Sequence, residues 1–546
     1  MKQAIANQKG VSIVAVIATM LILSVMGVTL ISLVTTGSDV SINQLQSEQA
    51  FNVAEGGLEN ATLLLNTSDI TNRISCANVN ANLNAKPIGA GQFTVTADVG
   101  SPFYPALPTT LNGAIGIADA TINVNSTVGY APSGRIMIDR ELIDYFAISG
   151  NSFIGAARGS DGTTAAAHAN GASVGQYQCT ATSTGGIPSV AAPTARRQVT
   201  EGIQLQEGWA VGAGGNILRW QQTGWTSYGI VVARQLNGIS MLSYADGRAV
   251  GNPGGIAAQR PLVLRYINGA WVSQNTGLNI NRVLNSIYCV ASNDCWAVGA
   301  QGGVASNQRP WIVQYNGAWS NINTGNTANA PLNSVYCPAS GNCWAVGNAV
   351  GGFELVYRLA GGVWARQANN PNIPTRNLMN VFCTGTTECF VVGAAGTSSR
   401  WTSAGGWTNI SPAIAQQLNS VYMLDINNDG IADDGWAVGA SNGTRPTALR
   451  WNTNCSGVGT TGVWNNCTIA PYVPLINTAL NEVSCVDSSD CWAAGNVSGG
   501  ETILHWDGTS WARVAPSGAI PNVNLMSVYI IGPKLRPQAV WQEVFP

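Results

Sequence analysis

The sequence predicts a multidomain α+β chain: a long N-terminal helix with a small antiparallel sheet, a β-rich insert, and a C-terminal all-β propeller of seven blades, with eight as the alternative. Three observations carry that expectation. Residues 11–36, VSIVAVIATMLILSVMGVTLISLVTT, hold no charge over 26 positions. All 18 tryptophans lie between Trp209 and Trp541. A Trp-Ala-Val-Gly-like tetrapeptide ends at Gly212, Gly251, Gly299, Gly347, Gly393, Gly439 and Gly495, at intervals of 39 to 56 residues. The 546 residues leave room for two to four domains. A charged fraction of 10% and a net charge of −2 give no electrostatic case for nucleic acid or an acidic membrane surface as partner.

The uncharged run is long enough to cross a hydrocarbon core of ~30 Å as a helix. A cleaved secretory signal fits it less well, because no small-x-small site ends the run and the helical pattern continues. Beyond Asp39 the chain turns amphipathic, with Ala54, Leu58, Ala61 and Leu65 on one helical face. The helix is expected over 11–66. GQFTVTADVG at 91–100 alternates like a strand, and 177–206 reads as two or three more. Residues 11–100 and 176–207 thus form one domain, interrupted by 101–175. That insert has short alternating strands and Gly-rich turns. Its Glu141, Asp144 and His168 are conceivable acid/base partners, but ordinary strand and turn positions explain them more simply.

Lys9-Gly10 ahead of the apolar run, and QLQSEQAFNVAEGGLENA at 44–61, resemble the type IV pilins, most closely the PilX-type minor pilins. The resemblance implies a leader, 1–10, cut by a prepilin peptidase after Gly10, with Val11 as the methylated new N-terminus. It implies residence in the inner membrane before assembly, and partnership with other minor and major pilins through the helix. Two positions depart from the family. Val11 stands where pilins usually have Phe or Met, and Ala15 stands where major pilins have glutamate. That glutamate is thought to neutralise a neighbour's terminal ammonium in an apolar filament core, where an unpaired charge is costly. Its absence favours a tip position, with no subunit above. Tolerance of the loss elsewhere in the shaft is the alternative. The insert resembles small β-modules of phage tail and fibre proteins.

From 200 onward each unit offers four short strands in about 46 residues, the size of a propeller blade. A strand such as LNSVYC precedes the tetrapeptide and a second pair follows it. The tail, 525–545, is expected to complete the first repeat and close a ring over 208–546. The repeats are similar to BNR and kelch-like propellers. The sialidase-type Asp box is not matched cleanly, so glycosidase chemistry does not carry over. The tetrapeptide tryptophans, and Trp225, Trp271, Trp319, Trp364, Trp407 and Trp511, are read as packing between blades rather than as carbohydrate platforms.

Twelve cysteines form five close pairs, Cys289/Cys295, Cys337/Cys343, Cys383/Cys389, Cys455/Cys467 and Cys485/Cys491, leaving Cys76/Cys179 as a sixth. Repeated Cys-x5-Cys points to disulfides in an oxidising compartment. Zinc fits poorly, with two histidines in the chain and no Cys-x2-Cys. In the unit 418–439 the cysteine-closed turn is replaced by DINNDGIADD, six residues longer. Asp425, Asn427, Asp429 and Asp433, with the Ile431 carbonyl, follow a spacing that suits Ca²⁺, and Gly430 allows the turn. Asp434 is a possible extra ligand. Trp436 stands at position twelve, so no complete EF-hand is expected, and a solvated acidic turn is the alternative. Similar loops occur in propellers of pilus-tip adhesins, which this architecture resembles.

The expected function is a minor pilin, not an enzyme, at the extracellular tip of a type IV pilus. It would display a disulfide- and calcium-stabilised propeller for a surface or host ligand, a glycan or a protein. A tip pseudopilin of a type II-like secretion system is one alternative. A filament-displayed hydrolase is another, disfavoured because His505 is the propeller's one histidine and no nucleophile motif accompanies it.

Overall fold

A computed structural model describes residues 13–66, 79–98 and, with short breaks, 109–531. Gly10, Val11, Cys76, Cys455 and the end of the expected tail, 532–546, lie outside the described residues.

Helix α1 runs unbroken from Ile13 to Asn66, which at 1.5 Å per residue is ~80 Å. Its two halves differ in environment. Ala50, Val53, Ala54, Leu58, Ala61 and Leu65 are buried against Phe93, Val95, Ala181 and Val199 of a four-stranded antiparallel sheet. That sheet is built from Lys86–Ile88, Gly91–Asp98, Cys179–Ile187 and Ala195–Ile203. In the other half, Ile17, Leu21, Ile22, Met26, Leu30 and Leu33 are all more than half exposed. The insert between the second and third strands has its own core, around Ile136, Ile143, Tyr145, Phe153 and Val174.

Between Glu207 and Ile531 the described residues form seven four-stranded antiparallel sheets. Their first strands begin at Leu236, Leu284, Leu332, Leu378, Leu418, Leu480 and Leu525. Each first strand contacts the next, and Leu525–Ile531 returns to Leu236–Met241, so the ring closes as a β-propeller. The closing sheet is assembled from both ends. Its first strand is Leu525–Ile531, which pairs antiparallel with Glu207–Gly212, Glu207 opposite Ile531. Without that first strand Glu207–Gly212 would be left as an uncovered inner edge.

Two features explain the tetrapeptide. Its aromatic residue wedges between sheets. Trp344 lies 4.9 Å from Trp401 and 5.5 Å from Trp407 of the next sheet, and Trp436 lies 4.7 Å from Trp506 and 5.0 Å from Trp511. Where the second repeat has Arg248 instead, the guanidinium stacks over Tyr315 at 4.4 Å and donates to Cys295 Sγ. Its glycine meets a bulge at the start of the first strand. A Cβ on Gly347 would lie 2.1 Å from the Pro331 carbonyl oxygen, and the other six marker glycines face the same clash at 2.0–2.3 Å. Only a residue without a side chain permits this approach.

Gly347→Ala is therefore expected to destabilise the full chain by about 2–3 kcal/mol, while Gly385→Ala, where a Cβ meets nothing within 4 Å, stays within about 0.5 kcal/mol of wild type. Calorimetry of both variants in detergent checks the contrast.

Candidate functional site

The ends of the ring differ chemically. At one end lie the hairpins joining first to second strands. Disulfides Cys289–Cys295, Cys337–Cys343, Cys383–Cys389 and Cys485–Cys491 close four of them. Cross-linking six residues apart contributes roughly 2–2.5 kcal/mol by restricting the unfolded chain. The acidic loop, between Leu418–Leu424 and Asp434–Ser441, occupies the same end.

The two remaining cysteine pairs expected from the sequence stand apart from these four. Cys467 closes no first-to-second-strand hairpin. It follows Gly459–Asn466, the fourth strand of its sheet, and its N–H donates to the Ala448 carbonyl at 2.9 Å. Its side chain is buried against Leu480, Val483, Cys485 and Cys491 of the next sheet. Cys467 is disulfide-bonded. Its expected partner, Cys455, lies outside the described residues, so the Cys455–Cys467 pairing is not among the bridges described. Likewise Cys179 opens the third strand of the N-terminal sheet, while its expected partner Cys76 is outside the described residues.

In the acidic loop the side chains fold onto backbone amides. The Asp425 carboxylate accepts from the N–H of Asp429 at 3.0 Å and of Gly430 at 2.8 Å. Asn427 Oδ1 accepts from Asp429 N–H, Asp429 Oδ1 from Ile431 N–H, and Asp433 Oδ2 from the N–H groups of Ile426 and Asn427. Gly430 has φ +82°, as the turn reading requires. The hard oxygen donors suit calcium, and each keeps lone pairs beyond these bonds. They are not gathered into a tight carboxylate cluster, and among the described residues no group of three or more His, Cys, Asp or Glu is. Three neighbours steady the loop from the preceding disulfide-closed turn. Thr384 and Thr387 donate to the Gly430 carbonyl, and Glu388 accepts from Ala432 N–H at 2.6 Å.

Asp434 does not serve this loop. It is buried and paired with Arg450 at 2.6 Å. It belongs to a repeated pattern that sequence reasoning missed. An acid two residues before the tetrapeptide aromatic or its substitute pairs with a cation on the third strand: Glu207 with Arg219, Asp246 with Arg265, Glu388 with Arg400, Asp434 with Arg450, and Asp490 with His505. The spacing to the tetrapeptide is a usable signal. His505 is spent in this way, 2.9 Å from Asp490 and stacked 4.3 Å from Trp492.

The insert's polar trio resolves similarly. Glu141 and His168 meet at 2.8 Å, both buried. The Glu141 carboxylate also accepts from Arg158, Gly159 N–H and Ala166 N–H. Burial alone would push its carboxyl up, but these donors, Arg158 foremost, hold it down at about 2. It is a structural knot, saturated by donors. Asp144 pairs by backbone with Ala157 instead.

The opposite end of the ring opens into a central cavity of about 570 Å³. Three levels of first-strand residues line it. Outermost, Asn237, Asn285, Asn333, Asn419 and Asn481 each donate through Nδ2 to the leucine carbonyl of a neighbouring first strand, at 2.7–2.9 Å. These bonds stitch sheet to sheet. Below them stand Gly238, Ser286, Ser334, Asn380, Ser420, Glu482 and Ser527. The floor is aromatic: ring centroids of Tyr288, Tyr336, Phe382 and Tyr422 follow one another at 4.3, 4.5 and 4.4 Å, and Tyr529 completes it. Burial pushes the Tyr336 and Tyr529 hydroxyls well above their ordinary range, so the floor stays neutral.

Among the described residues lining the cavity Glu482 carries the one formal charge. Its partners are the hydroxyls of Ser420, at 3.3 Å, and Ser527. Burial pushes its carboxyl up to about 7, a shift these two hydroxyls only partly oppose. Nothing local in the sequence distinguishes this glutamate from a surface one. It stands where four of the six other repeats have serine, a cue visible only once the first strands are aligned. The described tryptophans, by contrast, are sandwiched between sheets and unavailable for stacking on a ligand.

No family model matches the chain, and no curated protein matches it. Solved structures do. YCF48 from Cyanidioschyzon merolae is 14% identical with a TM-score of 0.38, over 53% of this chain and 88% of that one. A protein from Lactobacillus plantarum is 11% identical with a TM-score of 0.40, over 60% and 99%. The WD40 propeller domain of Doa1 is 9% identical with a TM-score of 0.35, over 54% and 85%.

Two outcomes are expected. Because a folded-state carboxyl raised above its unfolded value binds extra protons between the two, wild-type stability should fall as pH rises from about 4.5 to 7. Glu482→Gln should therefore raise the thermal midpoint at pH 8 and leave it unchanged at pH 4, measured by calorimetry. Separately, calcium at 100 times its Kd should stabilise by about 2.7 kcal/mol. Chelator should lower the melting of the full chain, and Asp425→Ala should abolish that response.

Proposed function

We propose that the chain is a minor pilin that caps a type IV filament and displays its propeller, complete at seven blades, to an external surface or host ligand. One observation carries the reading. Helix α1 is a single rod whose apolar half, from Ile13 to Leu45, has no cover among the described residues, while its other half is bound to a small antiparallel sheet. Exposing that much apolar surface to water is costly at about 25 cal/mol per Å². Such a half needs a bilayer first and neighbouring helices afterwards, as a pilin does. The pilin-like segment at 44–61 and the alanine at position 15 agree with an inner-membrane precursor and a tip position.

The polarity of the propeller supports outward display. The chain enters the ring at Glu207, opposite Ile531, at the end where the first strands finish. The cavity opens where they start. Phe146 of the insert lies under Arg265 at 3.9 Å, and Arg265 belongs to the entry end, beside Asp246. The mouth thus faces away from the attachment. Disulfides and a calcium ion held by Asp425, Asn427, Asp429, Ile431 and Asp433 would brace the entry end, in keeping with an oxidising, extracellular setting.

Immunogold labelling of sheared filaments with antibody against the propeller tests the proposal. Gold confined to one filament end is expected. Gold along the shaft, or protein retained in the envelope and absent from filaments, would overturn it.

A further inference from the structure

The cavity is built to accept hydrogen bonds and positive charge, and its described lining holds neither a cation nor enough donors to satisfy its acid. Of seven equivalent positions at its middle level, six are neutral and small or amide-bearing, and one is Glu482. A carboxylate placed there costs folding free energy, because two hydroxyls replace its hydration incompletely. Nothing in the ring's packing requires it.

The outer level points the same way. The asparagine side chains spend their N–H donors on neighbouring strands, which leaves amide oxygens at the mouth. Asn237 and Asn419 accept from Gln235 and Gln417, but Asn285, Asn333 and Asn481 accept from no group among the described residues. Three free acceptors, a lone carboxylate and an aromatic floor line one cavity. A tetrahedral ammonium has three donors for such oxygens, and one entering from the mouth meets the carboxylate with aromatic ring faces directly below it. The volume admits a side chain with some flanking main chain.

We propose that this cavity binds a primary ammonium on an unbranched alkyl stem, the side chain of a lysine presented by a protein partner, with Glu482 as its counter-ion. This rests on the propeller being the displayed ligand-binding part of the protein. The titratable groups facing Glu482 across the cavity are Tyr288, Tyr336, Tyr422 and Tyr529, all neutral at the pH values concerned. The ammonium stays charged, so binding should weaken as pH falls and Glu482 takes up its proton.

The test is saturation-transfer NMR on the full chain in detergent, with Nα-acetyl-lysine methylamide as probe. Nα-acetyl-norleucine methylamide, which lacks the ammonium, and glucosamine serve as comparisons. The lysine probe should bind at least tenfold more tightly than the norleucine probe at pH 8. That margin should vanish in Glu482→Gln and shrink about tenfold at pH 6. Equal affinity for both probes, a margin unaffected by Glu482→Gln, or binding of glucosamine alone would overturn the proposal. Gold at filament tips with no lysine binding would reject this inference and leave the display reading standing.

Discussion

Closure of the ring by Leu525–Ile531 against Glu207–Gly212 is the constraint on which the rest of the propeller depends. Each sheet buries its faces only against neighbours, so an open arc would expose two large apolar faces. Joining the C-terminal strand to the N-terminal three removes both. The same pairing fixes polarity. It brings chain entry to the end where first strands finish, and leaves the end where they start for the cavity. A circular permutation of the strands could give the same ring with the cavity turned toward the anchor.

Much of what looks functional in the sequence is consumed by this architecture. Tryptophans wedge between sheets, and the acids of the acid–cation pairs beneath them are buried. The cation of each pair often stacks on the wedge as well, as Arg450 does over Trp436 and Trp506 at 5.5 and 5.2 Å. One pair departs from its siblings. Arg265 stands 3.6 Å from Asp246 and lies over Phe146, so a cation that elsewhere serves only its own sheets also joins the insert to the ring. Histidine follows the same logic at 505 and 168. Both are held by a carboxylate.

Features that repeat with a fixed local spacing are legible in the sequence. The α1 face of Ala54, Leu58, Ala61 and Leu65 is buried as its periodicity requires, and the marker glycines fall at seven equivalent bulges. Cys-x5-Cys predicts the four hairpin disulfides seen in the structure. Cys467, whose nearest cysteine in sequence is twelve residues away, falls outside that spacing and outside that role, at the edge of its sheet rather than in a hairpin. Features assembled across repeats are not readable locally. The cavity takes about one residue in fifty from each unit at each level, and its character depends on Glu482 meeting Ser527 from the C-terminal strand. Asp434 misleads a local reading because two patterns overlap there. It closes an acidic loop in sequence, but in space it is the acid of its own sheet's ion pair.

Cryo-electron microscopy of the full chain in a lipid nanodisc tests most directly whether ring closure aims the cavity outward. The hairpin end, with its disulfides and acidic loop, should lie toward the N-terminal domain and the disc, with the cavity mouth on the far side. A mouth facing the N-terminal domain would contradict the polarity from which outward display follows.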